Sequence, residues 1–308
     1  MAHHHHHHPD PQAGDQRVAL AIGVNLVLTV AQVVGGVLAG SLALIADALH
    51  NLSDAVALII AFAARKIARR PADATMTFGY GRAEIVAALI NYTTLIIIGL
   101  YLVYEAVLRF IEPQGVNGWL IVIIAALALL VDAITALLTY RLSKSSVNMR
   151  AAFLHNLADA LGSIAVIVAG TVIILFDWPL IDPLVTLLIA GYILWQSGYE
   201  IVGVIKMLML ASPPQLDADA VMQAVSTVPG VAGTHHAHLW QLDEQRIALD
   251  AHVVILPGQW AQADAIKATI KRELHTRFAI GLTTLELECS AHACVDQTLF
   301  VQTSVNET

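Results

Sequence analysis

The sequence predicts an α-helical membrane protein: a six-helix transmembrane bundle followed by a small α/β domain. Of its residues, 57% are hydrophobic and only 13% are charged, whereas soluble domains contain about 25% charged residues. The apolar residues form six segments of about the 20 residues that a helix needs to cross a bilayer core. Beyond residue 210 the pattern changes to shorter alternating stretches, which predict a separate domain outside the membrane.

The chain begins with six consecutive histidines, His3–His8. We interpret residues 1–16 as a purification tag and a disordered N-terminal segment, because they lack both apolar periodicity and a signal-peptide pattern. The rest of the chain divides into a transmembrane domain at 17–210, a C-terminal domain at 211–294 and a tail at 295–308. The six spans are expected at 18–39, 42–64, 84–108, 118–140, 151–175 and 180–205.

Basic loops predict the orientation of the spans. Lysine and arginine are concentrated between spans two and three (Arg65, Lys66, Arg69, Arg70, Arg82) and between spans four and five (Arg141, Lys144, Arg150). Such loops stay on the cytoplasmic side of a membrane. We therefore expect both termini in the cytoplasm, and a multi-pass protein of the cell membrane, which is the inner membrane in a bacterium.

The C-terminal part predicts the element order αββαβ. Residues 216–228 have helical spacing, GTHHAHLWQL and IALDAHVVIL alternate like two strands, and a further helix and strand follow. This order within about 80 residues suggests a ferredoxin-like two-layer domain. From Ala211 onward eleven Asp and Glu stand against five Lys and Arg. This acidic balance argues against a nucleic-acid partner.

Two nearly identical hexapeptides predict a metal site inside the membrane. HNLSDA begins at His50 in the second span, and HNLADA begins at His155 in the fifth. Residues four apart share one helix face, so His50 projects with Asp54, and His155 with Asp159. Two imidazoles and two carboxylates suit tetrahedral zinc. The alternative is polar groups that hydrogen-bond between helices, but two matching copies of such costly residues favour one shared site.

The charges of these four ligands predict how the site works. Two aspartates and a divalent cation sum to zero, whereas two bare carboxylates in a low-dielectric bundle are unfavourable and would take up protons. Imidazole must also be neutral to bind metal. Metal and protons therefore compete for the same atoms, which predicts the exchange of metal for protons.

The stretches around the hexapeptides are SLALIADALHNLSD, FGYGRAE, FLHNLADALGS and DPLVTLLIAGYIL. Together with the C-terminal pattern HHAHLWQL…LDAHVVI, they resemble the cation diffusion facilitator family, and within it the zinc-transporting branch with a His-Asp/His-Asp site. The resemblance implies a homodimeric secondary active transporter. Such a protein exports zinc, often also cadmium or cobalt, from the cytoplasm in exchange for protons, by alternating access around a site between helices 2 and 5.

The resemblance also bears on the residues around the site. Asp47, three residues before His50, fits the zinc branch, and Asn51 lies on the same helix stripe. We expect both to support the ligands or to conduct protons, with solvation of the helix end as an equal alternative for Asp47. The role of Asp132 is left open. A carboxylate in the middle of a span costs free energy, and this one could tune the metal site or line the cytoplasmic path.

A regulatory zinc site in the C-terminal domain is implied as well. His235, His252 and Glu288 stand where the family has its ligands, and His238 matches a histidine of the zinc branch. His236 stands where that motif has aspartate, which leaves its role open. The alternative is a solvated strand edge, because surface histidines are common.

Two further segments contain residue types that bind metal in other proteins. Cys289, His292 and Cys294 form either a soft cluster that binds zinc or a reduced tail. In the loop between spans two and three, some family members have a zinc site made of one aspartate and two histidines. Asp73 matches, but methionine and tyrosine occupy the histidine positions (Met76 and Tyr80), so we expect no site there, and an ion pair between Arg82 and Glu84.

Two other functions compete with transport. An intramembrane metalloenzyme needs an open coordination position and a general base, but four protein ligands close the predicted site and no HExxH motif is present. A membrane metal sensor would signal through the C-terminal domain, which ends without an effector. The sequence has no GxxxxGK[ST] motif, so no nucleotide is expected. We expect a transporter rather than an enzyme, with divalent metal ions, protons and membrane lipid as its partners.

Overall fold

The protein has six long helices followed by a small α/β domain, as seen in a computed structural model that describes residues 11–143 and 147–300. The long helices are α1 (Pro11–Ala39), α2 (Leu42–Ala68), α3 (Ala83–Ile111), α4 (Gly118–Ser143), α5 (Val147–Phe176) and α6 (Ile181–Leu208). The domain follows with α7 (Ala218–Ser226), β1 (Val231–Gln241), β2 (Ile247–Ile255), α8 (Ala263–Phe278) and β3 (Leu282–Cys289). The predicted tag, the centre of the basic loop at Lys144 and residues 301–308 of the predicted tail lie outside the described residues. Residues 11–16, which we expected to be disordered, instead belong to α1.

By length and composition, five of the described helices, α2 to α6, can cross a membrane, and α1 adds a shorter apolar stretch at Leu26–Ala39. Their outward faces carry exposed apolar side chains such as Ile97, Leu100 and Leu188. Between the helices, small buried residues such as Ala43 and Ala125 belong to the apolar core and allow close helix packing. The helices therefore have a lipid-facing surface and a tight interior.

The turn between α1 and α2 is fixed by a buried carboxylate of α6. Gly40 has a φ of +68°, and a side-chain carbon there would lie 2.8 Å from a backbone oxygen, so only glycine fits. The fully buried Asp182 accepts hydrogen bonds from the backbone amides of Leu42 (2.7 Å) and Ala43 (3.3 Å). It thereby caps the first turn of α2. Arg109 of α3 hydrogen-bonds to the Gly40 carbonyl and lies 3.7 Å from the Asp182 carboxylate.

The C-terminal domain has the predicted order αββαβ. Its sheet has the strand order β1-β2-β3, with β1 antiparallel and β3 parallel to the central β2. Buried residues of α7 and α8, including Val221, Ile266 and Ile270, join the strands in one apolar core. The parallel β2–α8–β3 unit places the C-terminal ends of two strands at the same edge.

A β-bulge interrupts β1 at His236. Between the cross-strand pairs His235–His252 and His238–Asp250, β1 contains two residues where β2 contains one. His236 itself adopts a φ of +48°, in the left-handed region that non-glycine residues seldom enter. The bulge therefore breaks the usual alternation of side chains along β1.

The chain after β3 returns to the outer edge of β1 at this bulge. The backbone amides of His236 and Ala237 donate to the carbonyls of Thr298 (3.0 Å) and Leu299 (2.7 Å). The Leu299 side chain packs against the domain core. This segment therefore covers part of an edge strand that would otherwise present unpaired backbone groups.

The connection between α2 and α3 is held by Asp73. Its carboxylate accepts hydrogen bonds from the amides of Thr75 (2.8 Å) and Met76 (2.9 Å) and from the Tyr80 hydroxyl (2.7 Å). These bonds, with that from the Thr75 hydroxyl foremost, hold the pKa of Asp73 well below its usual range. The carboxylate that matches a family metal ligand serves here to order the loop.

Arg82 has a different partner from the one expected. Its Nε donates to the carbonyl of Leu242 at 3.1 Å, in the turn between β1 and β2. Arg246 of the same turn reaches the Phe78 carbonyl at 3.4 Å. No ion pair joins Arg82 to Glu84 within the described ranges. That prediction is wrong because the Arg82 guanidinium hydrogen-bonds instead to the Leu242 carbonyl, which is 160 residues away in the sequence.

Candidate metal-binding sites

The two hexapeptides come together as one cluster, the quartet His50, Asp54, His155 and Asp159. The Nε2 atom of His50 lies 3.8 Å from Asp54 Oδ2 and 3.4 Å from Asp159 Oδ1. The Nε2 atom of His155 lies 3.2 Å from Asp54 Oδ2 and 3.6 Å from Asp159 Oδ2. Each imidazole thus contacts one carboxylate of its own helix and one of the other helix.

The spacing of the quartet suits a tetrahedral metal ion. Zinc bonds of about 2.0–2.2 Å to nitrogen and oxygen place the ligand atoms of a tetrahedron about 3.3–3.6 Å apart. The four distances between 3.2 and 3.8 Å fall around this value. The two imidazoles are farther apart, with ring centroids separated by 6.0 Å. A bound ion would therefore bring the imidazoles of His50 and His155 closer together.

The most buried member of the quartet carries an oxygen that contacts an imidazole at 3.4 Å but forms no hydrogen bond with a described residue. The side chain of Asp159 is 10% exposed and that of His50 is 13% exposed, whereas those of Asp54 and His155 are 24% and 40% exposed. Asp159 Oδ1 and His50 Nδ1 are buried and form no hydrogen bond with any described residue. Such unpaired groups cost free energy. A cation within the quartet would satisfy the carboxylate oxygen.

A buried hydrogen-bond chain joins α1 to the first ligand helix. Gln32 Nε2 donates to Asp47 Oδ2 at 2.6 Å, and Asn51 Nδ2 donates to Gln32 Oε1 at 3.1 Å. All three side chains are at most 4% exposed. Asp47 and Asn51, which the sequence singled out, therefore contact Gln32 one helical turn from His50. The sequence showed Gln32 only as a polar residue in a span, because its partner depends on how α1 packs against α2.

A second buried pair joins α4 to the other ligand helix. Ser163 Oγ donates to Asp132 Oδ2 at 3.0 Å, and Ser163 lies four residues after Asp159. A side-chain carbon at the neighbouring Gly162 would lie 3.4 Å from Asp47 Oδ1, so α2 and α5 approach closely at this level. Two further carboxylates, Asp47 and Asp132, thus flank the quartet within hydrogen-bonded pairs.

Three of the residues predicted as ligands in the C-terminal domain also converge. Glu288 Oε2 lies 3.3 Å from His235 Nε2, and Glu288 Oε1 lies 2.7 Å from His252 Nδ1. Glu286 Oε2 lies 3.3 Å from His252 Nε2. Burial raises the pKa of Glu288, but hydrogen bonds from Cys294 and His252 outweigh that effect and lower it overall.

The structure adds two residues to this cluster and leaves one out. Two overlapping groups of described residues could hold a metal ion, each with one ligand atom per residue and all of these within 4.8 Å of one another. One consists of His235, His236, His252 and Cys294, and the other of His252, Glu286 and Glu288. Strand alternation would place His236 opposite His235, so only the bulge brings it in. His238 is exposed and belongs to no metal-capable group of the described residues. Its predicted role as a ligand finds no support in this geometry.

Comparison with known protein families tests the resemblance stated above. Residues 18–209 match the cation efflux transmembrane domain, and residues 213–298 match the cytoplasmic domain of cation efflux proteins. The chain belongs to the cation efflux family. Membership confirms the predicted fold class, a helical transmembrane domain followed by a small α/β domain. It also identifies a multi-pass membrane protein of a transporter family.

Individual cation efflux proteins match nearly the whole chain. The zinc transporter ZitB of Pectobacterium atrosepticum is 35% identical over 290 residues, which are 94% of this chain and 89% of that protein. A cadmium, cobalt and zinc/H(+)-K(+) antiporter of Bacillus velezensis is 36% identical, covering 85% of this chain and 84% of that protein. Among solved structures, the metal-bound C-terminal domain of the CzcD transporter from Cupriavidus metallidurans is 26% identical, covers 24% of this chain and 99% of that chain, and has a TM-score of 0.23.

Proposed function

We propose that this cation efflux protein exports zinc from the cytoplasm in exchange for protons, with cadmium and cobalt as further cargo. The observation that carries the proposal is the quartet of two imidazoles and two carboxylates from two spans, whose histidine–aspartate contacts are 3.2–3.8 Å long. Relatives named as a zinc transporter and as a cadmium, cobalt and zinc antiporter support the same cargo. The metal is the substrate, and alternating access around the quartet moves it.

Charge balance couples the metal to protons. With Zn²⁺ bound, the two carboxylates and two neutral imidazoles sum to zero. Without it, two negative charges would remain in a low-dielectric bundle, where each buried ion costs several kcal/mol. The empty quartet therefore takes up protons before the transporter returns to its starting conformation. His155 Nε2 and Asp54 Oδ2, which lie 3.2 Å apart, are the closest pair to share one.

The neighbouring carboxylates serve the same exchange without binding the metal. Gln32 fixes Asp47 one turn from His50, and Ser163 fixes Asp132 beside the second ligand helix. Hydrogen bonds hold both carboxylates within the bundle, where they can accept protons beside the quartet. Asn51 orients the Gln32 amide and thereby supports Asp47.

The C-terminal domain, in this proposal, regulates transport through zinc. It uses the cluster around His235, His252 and Glu288, and it lies in the cytoplasm with both chain termini. The protein acts as a homodimer in the inner membrane, where zinc in two acidic domains would reduce their mutual repulsion. The limits 17–210 and 211–294 stay our assignment for the two domains.

Zinc uptake into proteoliposomes tests the proposal. Vesicles with an acidic interior should take up zinc faster than vesicles without a pH gradient, because outgoing protons drive exchange. Asp159→Asn keeps the shape of the side chain but removes its charge. We expect it to lower the initial rate at least about 100-fold, above the range seen for residues that only orient metal ligands.

Asp177→Asn is the matched control for this variant. Asp177 is an exposed carboxylate after α5 with a φ of +48°, a conformation that asparagine tolerates. This variant should transport zinc at the normal rate. Normal transport by Asp159→Asn would refute the site, and uptake that ignores the pH gradient would refute proton coupling. A metal sensor or a metalloenzyme would show no flux at all.

A further inference from the structure

A charged cavity lies between the end of α2, the connection from α2 to α3, and the turn between β1 and β2. Its volume is about 700 Å³. The charged residues that line it are four arginines and three carboxylates: Arg65, Arg69, Arg70, Arg246, Glu84, Asp243 and Glu244. Four positive and three negative charges leave the lining with a formal charge of +1, which is equal and opposite to that of one phosphodiester.

Three of these arginines have side chains without a protein partner. Among the residues that the structure describes, Arg65, Arg69 and Arg70 are exposed and their guanidinium groups form no ion pair or hydrogen bond. Arg246, in contrast, lies 2.6 Å from the Asp243 carboxylate. A guanidinium presents five donors in a planar fork that matches a phosphate group. The cavity therefore offers three unused forks to an anion.

An apolar cavity of about 380 Å³ adjoins the charged one. The two cavities have four lining residues in common, Phe78, Gly79, Gly81 and Arg246. Met76 and Trp240 line only the apolar cavity, and Met76 and Phe78 are 43% and 56% exposed. Exposed apolar side chains gathered in one place mark a binding surface. A ligand that fills both cavities must be amphiphilic, with an anionic group at one end and an apolar group at the other.

The end of α2 brings the charged cavity to the level of lipid headgroups. This helix can cross a membrane by its length and composition, and it ends at Ala68. Phe62, three residues before Arg65, is 75% exposed, so the apolar outer surface of α2 continues to the turn that carries the first arginine. Basic residues that follow a span directly attract anionic lipid headgroups.

We propose that the two cavities together bind an anionic phospholipid. Its phosphodiester contacts the guanidinium groups of Arg65, Arg69 and Arg70, and the part of its acyl chains nearest the glycerol packs against Met76 and Phe78. Phosphatidylglycerol fits the charged cavity, because its headgroup carries a single negative charge. Its hydroxyl groups donate to Glu84 and Glu244, which form no ion pair with any described residue. A free phosphate ion would satisfy the arginines but leave the apolar cavity empty.

Bound lipid would join two separate parts of the chain. Arg65, Arg69 and Arg70 belong to the end of α2 and the residues after it, whereas Glu244 and Arg246 belong to the turn between β1 and β2. The lipid adds to the protein contacts already present there, such as the hydrogen bond from Arg82 to the Leu242 carbonyl. The site is separate from both metal centres and does not depend on the proposed transport.

Titration of the full-length protein in detergent with dioctanoyl phosphatidylglycerol tests the site, with bound lipid counted by native mass spectrometry. The double variant Arg69→Gln, Arg70→Gln should raise the Kd of the tightest-binding lipid by about 30-fold. The matched control is Lys271→Gln, Arg272→Gln, because these neighbouring basic residues are exposed on α8 and line neither cavity. It should leave the Kd unchanged. Every variant carries the same N-terminal histidines, so their contribution cancels.

A third variant should change affinity in the opposite direction. Glu244→Gln raises the charge of the lining from +1 to +2, so phosphatidylglycerol should bind about 5-fold more tightly. A gain in affinity cannot result from misfolding. Dioctanoyl phosphatidylcholine, which has no net charge, and inorganic phosphate, which has no chains, should each bind at least about 5-fold more weakly than phosphatidylglycerol.

The outcomes separate the lipid site from its alternatives and from transport. Equal binding of phosphatidylcholine would overturn the preference for an anion, and equal binding of inorganic phosphate would overturn the lipid as occupant. An unchanged Kd in the arginine variant, or weaker binding in Glu244→Gln, would overturn the location. Zinc uptake without lipid binding would overturn the site and leave transport intact. Lipid binding with the expected variant effects but no zinc flux would support the site and refute the transport function.

Discussion

The quartet in the spans and the histidine–cysteine cluster in the C-terminal domain use related ligands in opposite ways. The quartet takes one histidine and one aspartate from each of two helices, at a spacing of four residues. The cluster gathers its side chains from two strands, a bulge and the segment after β3. When empty, the quartet holds two carboxylates inside a bundle, whereas the cluster has one buried carboxylate beside it, Glu288, which already contacts two imidazoles at 2.7 and 3.3 Å. In the proposed function, the quartet would therefore always hold a cation or protons, whereas the cluster could remain empty and act as a sensor.

Removing one carboxylate from each centre should give the largest contrast. Asp54→Asn removes a ligand of the quartet, so the initial rate of zinc uptake should fall at least about 100-fold. Glu288→Gln removes a carboxylate beside the cluster, and uptake should stay within about 10-fold of the normal rate. Proteoliposome uptake at several zinc concentrations measures both. Equal losses in the two variants would abolish the distinction between cargo and regulatory sites.

Exchanging a quartet imidazole for a carboxylate should change which metal is carried. His155→Asp leaves three carboxylates and one imidazole, and oxygen ligands suit manganese better than zinc. We expect the ratio of zinc to manganese uptake to fall by at least about 10-fold. His238→Asp is the matched control, since His238 is exposed and outside the cluster. A ratio that is unchanged in His155→Asp would show that the ligand set does not select the metal.

Removing the amide that holds Asp47 should have a smaller effect, on stability. Gln32→Ala takes away the 2.6 Å hydrogen bond and leaves a buried carboxylate unpaired. The free energy of unfolding should fall by about 1–3 kcal/mol, seen as a lower melting temperature in detergent. Gln114→Ala, in the exposed connection between α3 and α4, should leave the melting temperature unchanged. A matching decrease in both variants would point to a general loss of glutamine contacts.

The smallest effect should come from the turn between β1 and β2, whose residues belong to neither metal site. Burial raises the pKa of Asp243, but hydrogen bonds from Arg246 and from the backbone amides of Gln245 and Arg246 lower it overall. The native state therefore binds fewer protons, and this stabilisation is present above the ordinary pKa of 3.8 and lost as the pH falls through the lowered value.

Asp243→Asn should accordingly destabilise the C-terminal domain by less than about 1 kcal/mol at neutral pH. At a pH below the lowered pKa, the difference between the variant and the unaltered protein should vanish. Unfolding curves at the two pH values measure this, with and without zinc. A zinc-dependent difference would show that the turn is coupled to the metal cluster.

Each half of the quartet could be predicted because its geometry is local, and the repeat of the pair suggested that the two halves meet. In a helix, a spacing of four residues fixes which side chains lie together, and the repeated hexapeptide supplies the same pair twice. The partner of Asp47 could not be predicted in this way. The contact with Gln32 depends on how α1 packs against α2, which no periodicity within one helix specifies. The expected pair of Arg82 and Glu84 failed for the same reason, since a distant hairpin offers Arg82 a backbone oxygen.

The cluster in the C-terminal domain was predicted in part. His235, His252 and Glu288 converge as strand pairing requires, because β1 and β3 both lie beside β2. The inclusion of His236 follows from an extra residue in β1, which leaves no clear mark in a single sequence. Cys294 joins the cluster only because the chain doubles back onto β1 after β3.

The bulge in β1 also limits how the chain can vary during evolution. Two consecutive histidines reach the same cluster because β1 carries one more residue than β2 in that stretch. Deleting one residue there would restore strict alternation and turn one imidazole to the opposite face. A relative with the same histidines but a β1 strand one residue shorter would therefore lose the site. The length of β1 is therefore as much a determinant of the proposed metal site as the identity of its histidines.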